Sequence, residues 1–241
     1  MVLTEKYWSH EMRSRILTSS RLYAYTMEVS IPAVVRKPFV YKQYNVTLTL
    51  ILINFFIFLI TVTVRPGLAQ PLAMNPLAVV HGNQWWQVFT YMFVHGNFTH
   101  VLFNMLALFF FGTQLEYRLG SSEFLLFYLL TGVLAGVFSL GLYWFSGAYM
   151  VFLVGASGAV YAVLLAFATF FPNARIFLFG ILPVPAPALV VGFTFIELFS
   201  QISGGRGNVA HFTHLAGFAF AFLYLMVRFG VNPAKVFMGH R

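Results

Sequence analysis

Six apolar stretches divide this chain, at about Val46–Val64, Thr99–Leu115, Glu123–Phe145, Ala156–Phe171, Ala186–Ile202 and Val209–Phe229. Hydrocarbon offers a backbone no hydrogen-bonding partner, so a stretch that crosses it must close its own bonds. About 20 helical residues cross the ~30 Å hydrocarbon core of a bilayer. Repetition of such stretches points to one integral domain, an all-α polytopic membrane protein with six transmembrane helices. Composition agrees: only 8% of the 241 residues are charged and 60% are hydrophobic, against roughly 25% charged in soluble domains. A soluble domain this apolar would expose patches that aggregate.

The connections carry their own signals. Arg65-Pro66-Gly67 ends the first stretch. Leu68–Phe98 is apolar yet broken by Pro71, Pro76, Gly82 and Gly96, which suits an interfacial segment with Trp85 and Trp86 at headgroup level. Pro172-Asn173-Ala174-Arg175 ends the fourth stretch, and Pro183, Pro185 and Pro187 predict an irregular lead into the fifth. Ser203–Asn208, rich in glycine, is a flexible loop by composition.

The formal charge of +8 invites a nucleic-acid reading, but the basic residues sit in the wrong places for one. Seven of the fourteen (Lys6, Arg13, Arg15, Arg21, Arg36, Lys37 and Lys42) precede the first apolar stretch. Basic flanks stay on the cytoplasmic side of a membrane. With both termini inside, the inner segments hold those seven plus Arg118, Arg175, Arg228, Lys235 and Arg241, while Arg65 and Arg206 lie outside. That is 12 against 2, an N-in/C-in arrangement and no nucleic-acid partner. The first 45 residues lack the apolar core of a cleavable signal peptide. They are expected to form a cytoplasmic extension (1–45) resting on lipid through Tyr23, Tyr25 and Tyr41, ahead of the bundle (46–229) and a short tail (230–241). There is no cysteine, so disulfides and thiolate metal sites are excluded.

Orientation places Ser157 and His214 at the outward ends of the fourth and sixth stretches, with His95 and His100 at the same end. Ser157 lies in Gly155-Ala156-Ser157-Gly158. Backbone N–H groups at a helix start lack intrahelical partners and can face a developing oxyanion. Gly155 and Gly158 clear space around the hydroxyl. Taken alone, Gly-x-Ser-Gly is equally what helix packing in membranes uses. His214 stands one turn above Gly217 and two above Ala221, a small-residue face that lets the sixth helix approach the fourth. That brings the imidazole within reach of Ser157 as a general base; a histidine that merely meets interfacial water is the plainer alternative. His211 competes with it but lies nearer the loop.

His100 and Asn104 share a helical face. They fit either donors to a tetrahedral oxyanion or a polar clamp between helices. A metal is not expected. There is no His-Glu-x-x-His, no cysteine and no aspartate, and Glu197 has no histidine three or four residues away. Without aspartate, and with Glu197 read as standing alone, Ser–His chemistry here is expected to lack a carboxylate third member.

Together, His100-x-x-x-Asn104, Gly155-Ala156-Ser157-Gly158 and His214-x-x-Gly217 resemble the signature of rhomboid intramembrane serine proteases. The resemblance runs from about Val46 to Phe229 and includes Glu116-x-Arg118 and Tyr161. It implies a Ser157–His214 dyad. It implies oxyanion donors from His100, Asn104 and the Ser157 N–H, and Tyr161 packed on the His214 ring. Gly155 and His95 are then expected to line the cavity. Leu68–Phe98 looks like the family's membrane-embedded first loop, although many members have Trp-Arg there and this chain has Trp86-Gln87.

The implied activity is cleavage of transmembrane substrates within or near the bilayer, without cofactor, in a bacterial-type inner membrane. Ser203–Asn208 would be a lid, and the fifth helix a lateral gate for substrate. A non-catalytic rhomboid-like protein that retains transmembrane helices is the alternative class; a transporter would call for paired intramembrane charges.

Overall fold

The computed structural model describes residues 33–37, 39–178, 180–202 and 209–239. Most of the 1–45 extension, including Tyr23 and Tyr25, and the whole of the expected lid at 203–208 lie outside the described residues.

Among the described residues, six apolar helices organise the fold. α1 runs Val46–Leu59 and widens into a π-helical turn at Ile60–Val64. α2 spans Phe98–Leu119, with a π-helical section at Leu108–Gly112. α3 is Ser121–Phe145 and α4 is Ser157–Phe170. α5 is Ala186–Ile202; α6 is Val209–Tyr224, continued as a π-helical turn at Leu225–Phe229. Among the described residues, four of these helices are long and apolar enough to cross a membrane, namely α1, α2, α3 and α6. α4 and α5 are shorter apolar helices. Phe56, Phe109, Phe110, Phe138 and Phe195 are exposed on the outside of the bundle. Water would reject such a belt and lipid accepts it, so the chain is an integral membrane protein.

α4 is the central helix. Its residues Gly158–Val160 and Ala162–Thr169 are buried, and it packs against α3, α5 and α6. A helix apolar on every side is stable only when wrapped in this way. Its contact with α6 is made by glycines: a Cβ on Gly217 would lie 2.1 Å from the Gly158 carbonyl oxygen, so only glycine fits there. Beside it, the hydroxyls of Ser139 on α3 and Thr213 on α6 share a buried hydrogen bond of 2.7 Å.

Buried charges tie the opposite end. Glu116, near the end of α2, accepts the Val46 and Thr47 N–H groups at 2.7 and 2.8 Å and the Ser121 hydroxyl. A carboxylate there serves the unpaired donors that open α1. Glu123 on α3 is bridged by Arg228 of α6 at 2.7 and 2.8 Å and receives the Tyr224 hydroxyl at 2.5 Å. The residues before α1 dock on the same arginine: Arg228 donates to the Val35 carbonyl, and Arg36 donates to that of Val227.

Two sequence expectations are corrected. The proline-rich lead into α5 is not irregular but a short antiparallel hairpin, β1 Arg175–Leu178 with β2 Leu182–Pro185. A two-stranded ribbon is all edge, and an edge tolerates proline. α2 also continues beyond Leu115 through Glu116-Tyr117-Arg118 to Leu119. The carboxylate inside that last turn is satisfied by the groups that donate to it rather than left as a stop signal.

Leu68–Phe98 is a chain of short helical turns closed over the start of α4. Met74 and Leu153 exchange both backbone hydrogen bonds, at 3.0 and 2.9 Å. The Asn75 amide donates to the carbonyls of Tyr149 and Val151, and Asn75 itself is held by the buried Gln87, whose side-chain oxygen accepts its N–H at 2.9 Å. Gln87 thus brings neutral hydrogen bonds to the position after Trp86.

Candidate active site

Ser157 is the first residue of α4, and the chain must turn sharply to deliver it there. Gly155 makes the turn at φ +119°, a conformation a residue with a Cβ rarely adopts. Its N–H is held by the Tyr91 carbonyl at 2.9 Å, and the Ala156 N–H points at His95 Nε2, 3.4 Å away. The first loop therefore fixes the tetrad from one side. His95 is 2% exposed. Burial, reinforced by the neighbouring His100, holds its imidazole down at about 3, so it is a neutral acceptor.

His214 comes from the first turns of α6. Its Nε2 lies 2.7 Å from Ser157 Oγ, a full hydrogen bond between residues 57 positions apart. The Tyr161 ring, one turn into α4, stacks on the imidazole with centroids 4.3 Å apart and planes 12° from parallel. The implied packing of Tyr161 on His214 is present.

His100 opens α2 at the same depth. A Cβ on Gly155 would sit 2.7 Å from the His100 ring and 3.7 Å from Ser157 Oγ, so the glycine's missing side chain brings this ring beside the serine. The His95 and His100 rings meet edge to face, 5.0 Å between centroids. Asn104 is buried one turn deeper, and its amide donates to the His100 carbonyl at 2.9 Å. This bond uses one of two amide hydrogens and fixes the side chain on the His100 face. His95, His100, Gly155, Ser157, Tyr161 and His214 thus gather at one end of the bundle, with Asn104 just beneath.

The expectation that Glu197 stands alone is overturned. Its carboxylate on α5 is 4% exposed and meets three side chains from two other helices. Oε1 lies 2.9 Å from His214 Nδ1 and accepts the Tyr161 hydroxyl; Oε2 is bonded to His211 Nδ1. The sequence signal is the lone carboxylate in an apolar helix, which must find partners somewhere. Spacing within one helix cannot reveal partners 14 and 17 residues away. Glu197, His211 and His214 also bring three ligand-type atoms within 4.8 Å of one another. A missing helical spacing does not argue against a metal at residues that meet across helices, and the lack of cysteine and aspartate leaves these three ligand types in place. Here those atoms are bonded to each other.

A model of the Rhomboid domain matches residues 82–231. The chain belongs to the rhomboid family. Among its relatives, Rhomboid protein 1, mitochondrial, of Saccharomyces cerevisiae is 36% identical over 137 residues, covering 55% of this chain and 38% of that protein. RHOMBOID-like protein 1 of Arabidopsis thaliana is 31% identical over 170 residues, 70% of this chain and 41% of the relative. Rhomboid protease AarA of Providencia stuartii is 30% identical over 139 residues, 48% of this chain and 47% of the relative. This rhomboid chain spans less than half the length of the curated relatives it matches.

Proposed function

We propose that this rhomboid protein is an intramembrane serine endopeptidase that cuts transmembrane protein substrates within or near the bilayer. The observation that carries the reading is the 2.7 Å bond between His214 Nε2 and Ser157 Oγ. A nucleophile and a base at this separation are ready for proton transfer without rearrangement.

In this reading Ser157 attacks the scissile carbonyl while His214 takes its proton. The Oγ–C bond forms, and negative charge appears on the substrate oxygen. His100, Asn104 and the Ser157 N–H receive that charge. His214 then gives its proton to the leaving amine, and water releases the acyl group by the same steps in reverse roles. Tyr161, Gly155 and His95 shape the cavity around the serine. α1 to α6 all cross the bilayer, α4 and α5 as short spans, with both termini on the cytoplasmic side. No metal or other cofactor takes part. The expected host is a bacterial-type cell membrane; the yeast relative's mitochondrial name makes an organelle membrane the alternative.

The test is a fluorophosphonate probe on the purified full chain, with the adduct located by peptide mass spectrometry. Labelling of Ser157 that vanishes in His214→Ala is the expected result. An unlabelled wild-type protein would favour the non-catalytic, helix-retaining alternative.

A further inference from the structure

Resting on the protease reading above, we propose that Glu197 is a positioning residue for His214, supplying from α5 the carboxylate that orients the catalytic imidazole. A carboxylate taken out of water is strongly destabilising unless its lone pairs are filled. Glu197 meets that condition with groups from two helices, the Tyr161 hydroxyl from α4 and the His211 and His214 rings from α6. These are the titratable groups that face it among the described residues.

The arrangement selects a tautomer. An ionised carboxylate only accepts hydrogen bonds, so the His214 nitrogen beside it, Nδ1, carries the proton. The other nitrogen, Nε2, is then bare, and it is the one aimed at Ser157 Oγ. That is the form a general base requires. In the opposite tautomer Nε2–H would donate to the hydroxyl and could take no proton from it. Which ring nitrogen holds the proton is set by the partner of the other, and here that partner is Glu197.

The arrangement also receives charge. As Oγ bonds to the carbonyl carbon, its proton moves to Nε2 and the ring becomes an imidazolium. The positive charge arises 2.9 Å from Oε1 in an apolar surround. It persists until the proton passes to the leaving amine as the C–N bond breaks. Tyr161 holds the assembly twice, by its ring on His214 and by its hydroxyl on Glu197. His211 fills the remaining oxygen, so the carboxylate does not swing away.

The experiment compares full-length wild type, Glu197→Gln, Glu197→Asp and Ser157→Ala in detergent, on a transmembrane reporter substrate below every melting temperature. Losing the orienting acid of a serine–histidine pair costs up to ~10⁴-fold in kcat. Because the Tyr161 stack remains, the expected loss in Glu197→Gln is ~10²-fold or more, with KM changed by less than about threefold. Glu197→Asp, which keeps the charge, should recover part of that rate; a purely structural hydrogen-bonding role would be met better by the isosteric Gln. Proton NMR of the wild type should show a low-field His214 Nδ1–H, and that reading stands even if the Gln variant fails to fold. Wild-type kcat in Glu197→Gln would overturn the proposal while leaving the protease reading intact, whereas a proton found on Nε2 would overturn the proposal together with the base role of His214. Activity that EDTA abolishes and Zn²⁺ restores would overturn both the proposal and the metal-free base role of His214, since Glu197, His211 and His214 would then be ligands. A wild type that neither labels nor cuts would instead defeat the protease reading itself.

Discussion

The Tyr161 ring lies flat on the His214 imidazole, 4.3 Å between centroids, while its hydroxyl reaches the carboxylate that bonds the same imidazole. One side chain thus fixes both the face and the edge of the proposed base. An aromatic stack of this kind contributes about 0.5–1.5 kcal/mol beyond its area. Tyr161→Phe, which keeps the ring, should retain most of the activity. Tyr161→Leu should lower kcat by about tenfold. Steady-state kinetics on both variants check this, and equal activity in the two would deny the ring any role.

The Gly217–Gly158 contact sets how far His214 stands from Ser157. A Cβ on Gly217 would strike the Gly158 carbonyl at 2.1 Å, so Gly217→Ala must push α6 away from α4. A displacement of ~1 Å costs ~10²-fold in a positioned reaction. Slower fluorophosphonate labelling and a lower melting temperature are expected together. Normal values of both would mean that the helices do not meet at this depth.

Asn104 separates catalysis from clamping. Loss of one oxyanion donor typically costs ~10²–10³-fold in kcat. Asn104→Ala should therefore be crippled yet measurable, because His100 and the Ser157 N–H remain. Kinetics and thermal unfolding on the same preparation decide. A lowered melting temperature with normal kcat would reduce Asn104 to a support for the His100 backbone.

His95 gives the fold a dependence on pH. Its native value is about 3, against about 6.5 in an unfolded chain. Between these limits the unfolded state binds a proton that the native state refuses. Stability is therefore complete above about pH 6.5 and falls as pH drops toward 3, by up to about 1.4 kcal/mol per pH unit for this one group. The melting temperature of wild type should fall more between pH 7 and pH 4.5 than that of His95→Gln. Parallel curves would place the proton elsewhere.

What could be read from the sequence depended on whether the information was local. The bounds of α1, α5 and α6 follow from apolar runs and their stops, and the structure places them at the expected residues. Three glycine- and histidine-bearing motifs point to residues that the fold brings to one end of the bundle, because each sits at a helix start, where a single segment sets side-chain placement. Glu197 was misread because its partners come from α4 and α6, and only packing brings them together. The β1–β2 hairpin was missed for a related reason. Proline argues against a strand inside a sheet, but both strands of a two-stranded ribbon are edges. Gln87 stands out in the sequence only as a departure from the Trp-Arg of many members, and only the fold reveals its bonds to Asn75 and Gln84.

The most direct test of the account is cleavage of a transmembrane reporter by the purified protein in liposomes, with wild type, Ser157→Ala, His214→Ala and the double variant side by side. Residues that act as one unit are strongly non-additive when removed. The account predicts cleavage by wild type, loss of it in each single variant, and no further loss in the double variant. Substantial turnover by Ser157→Ala would contradict it, whatever the geometry around the serine.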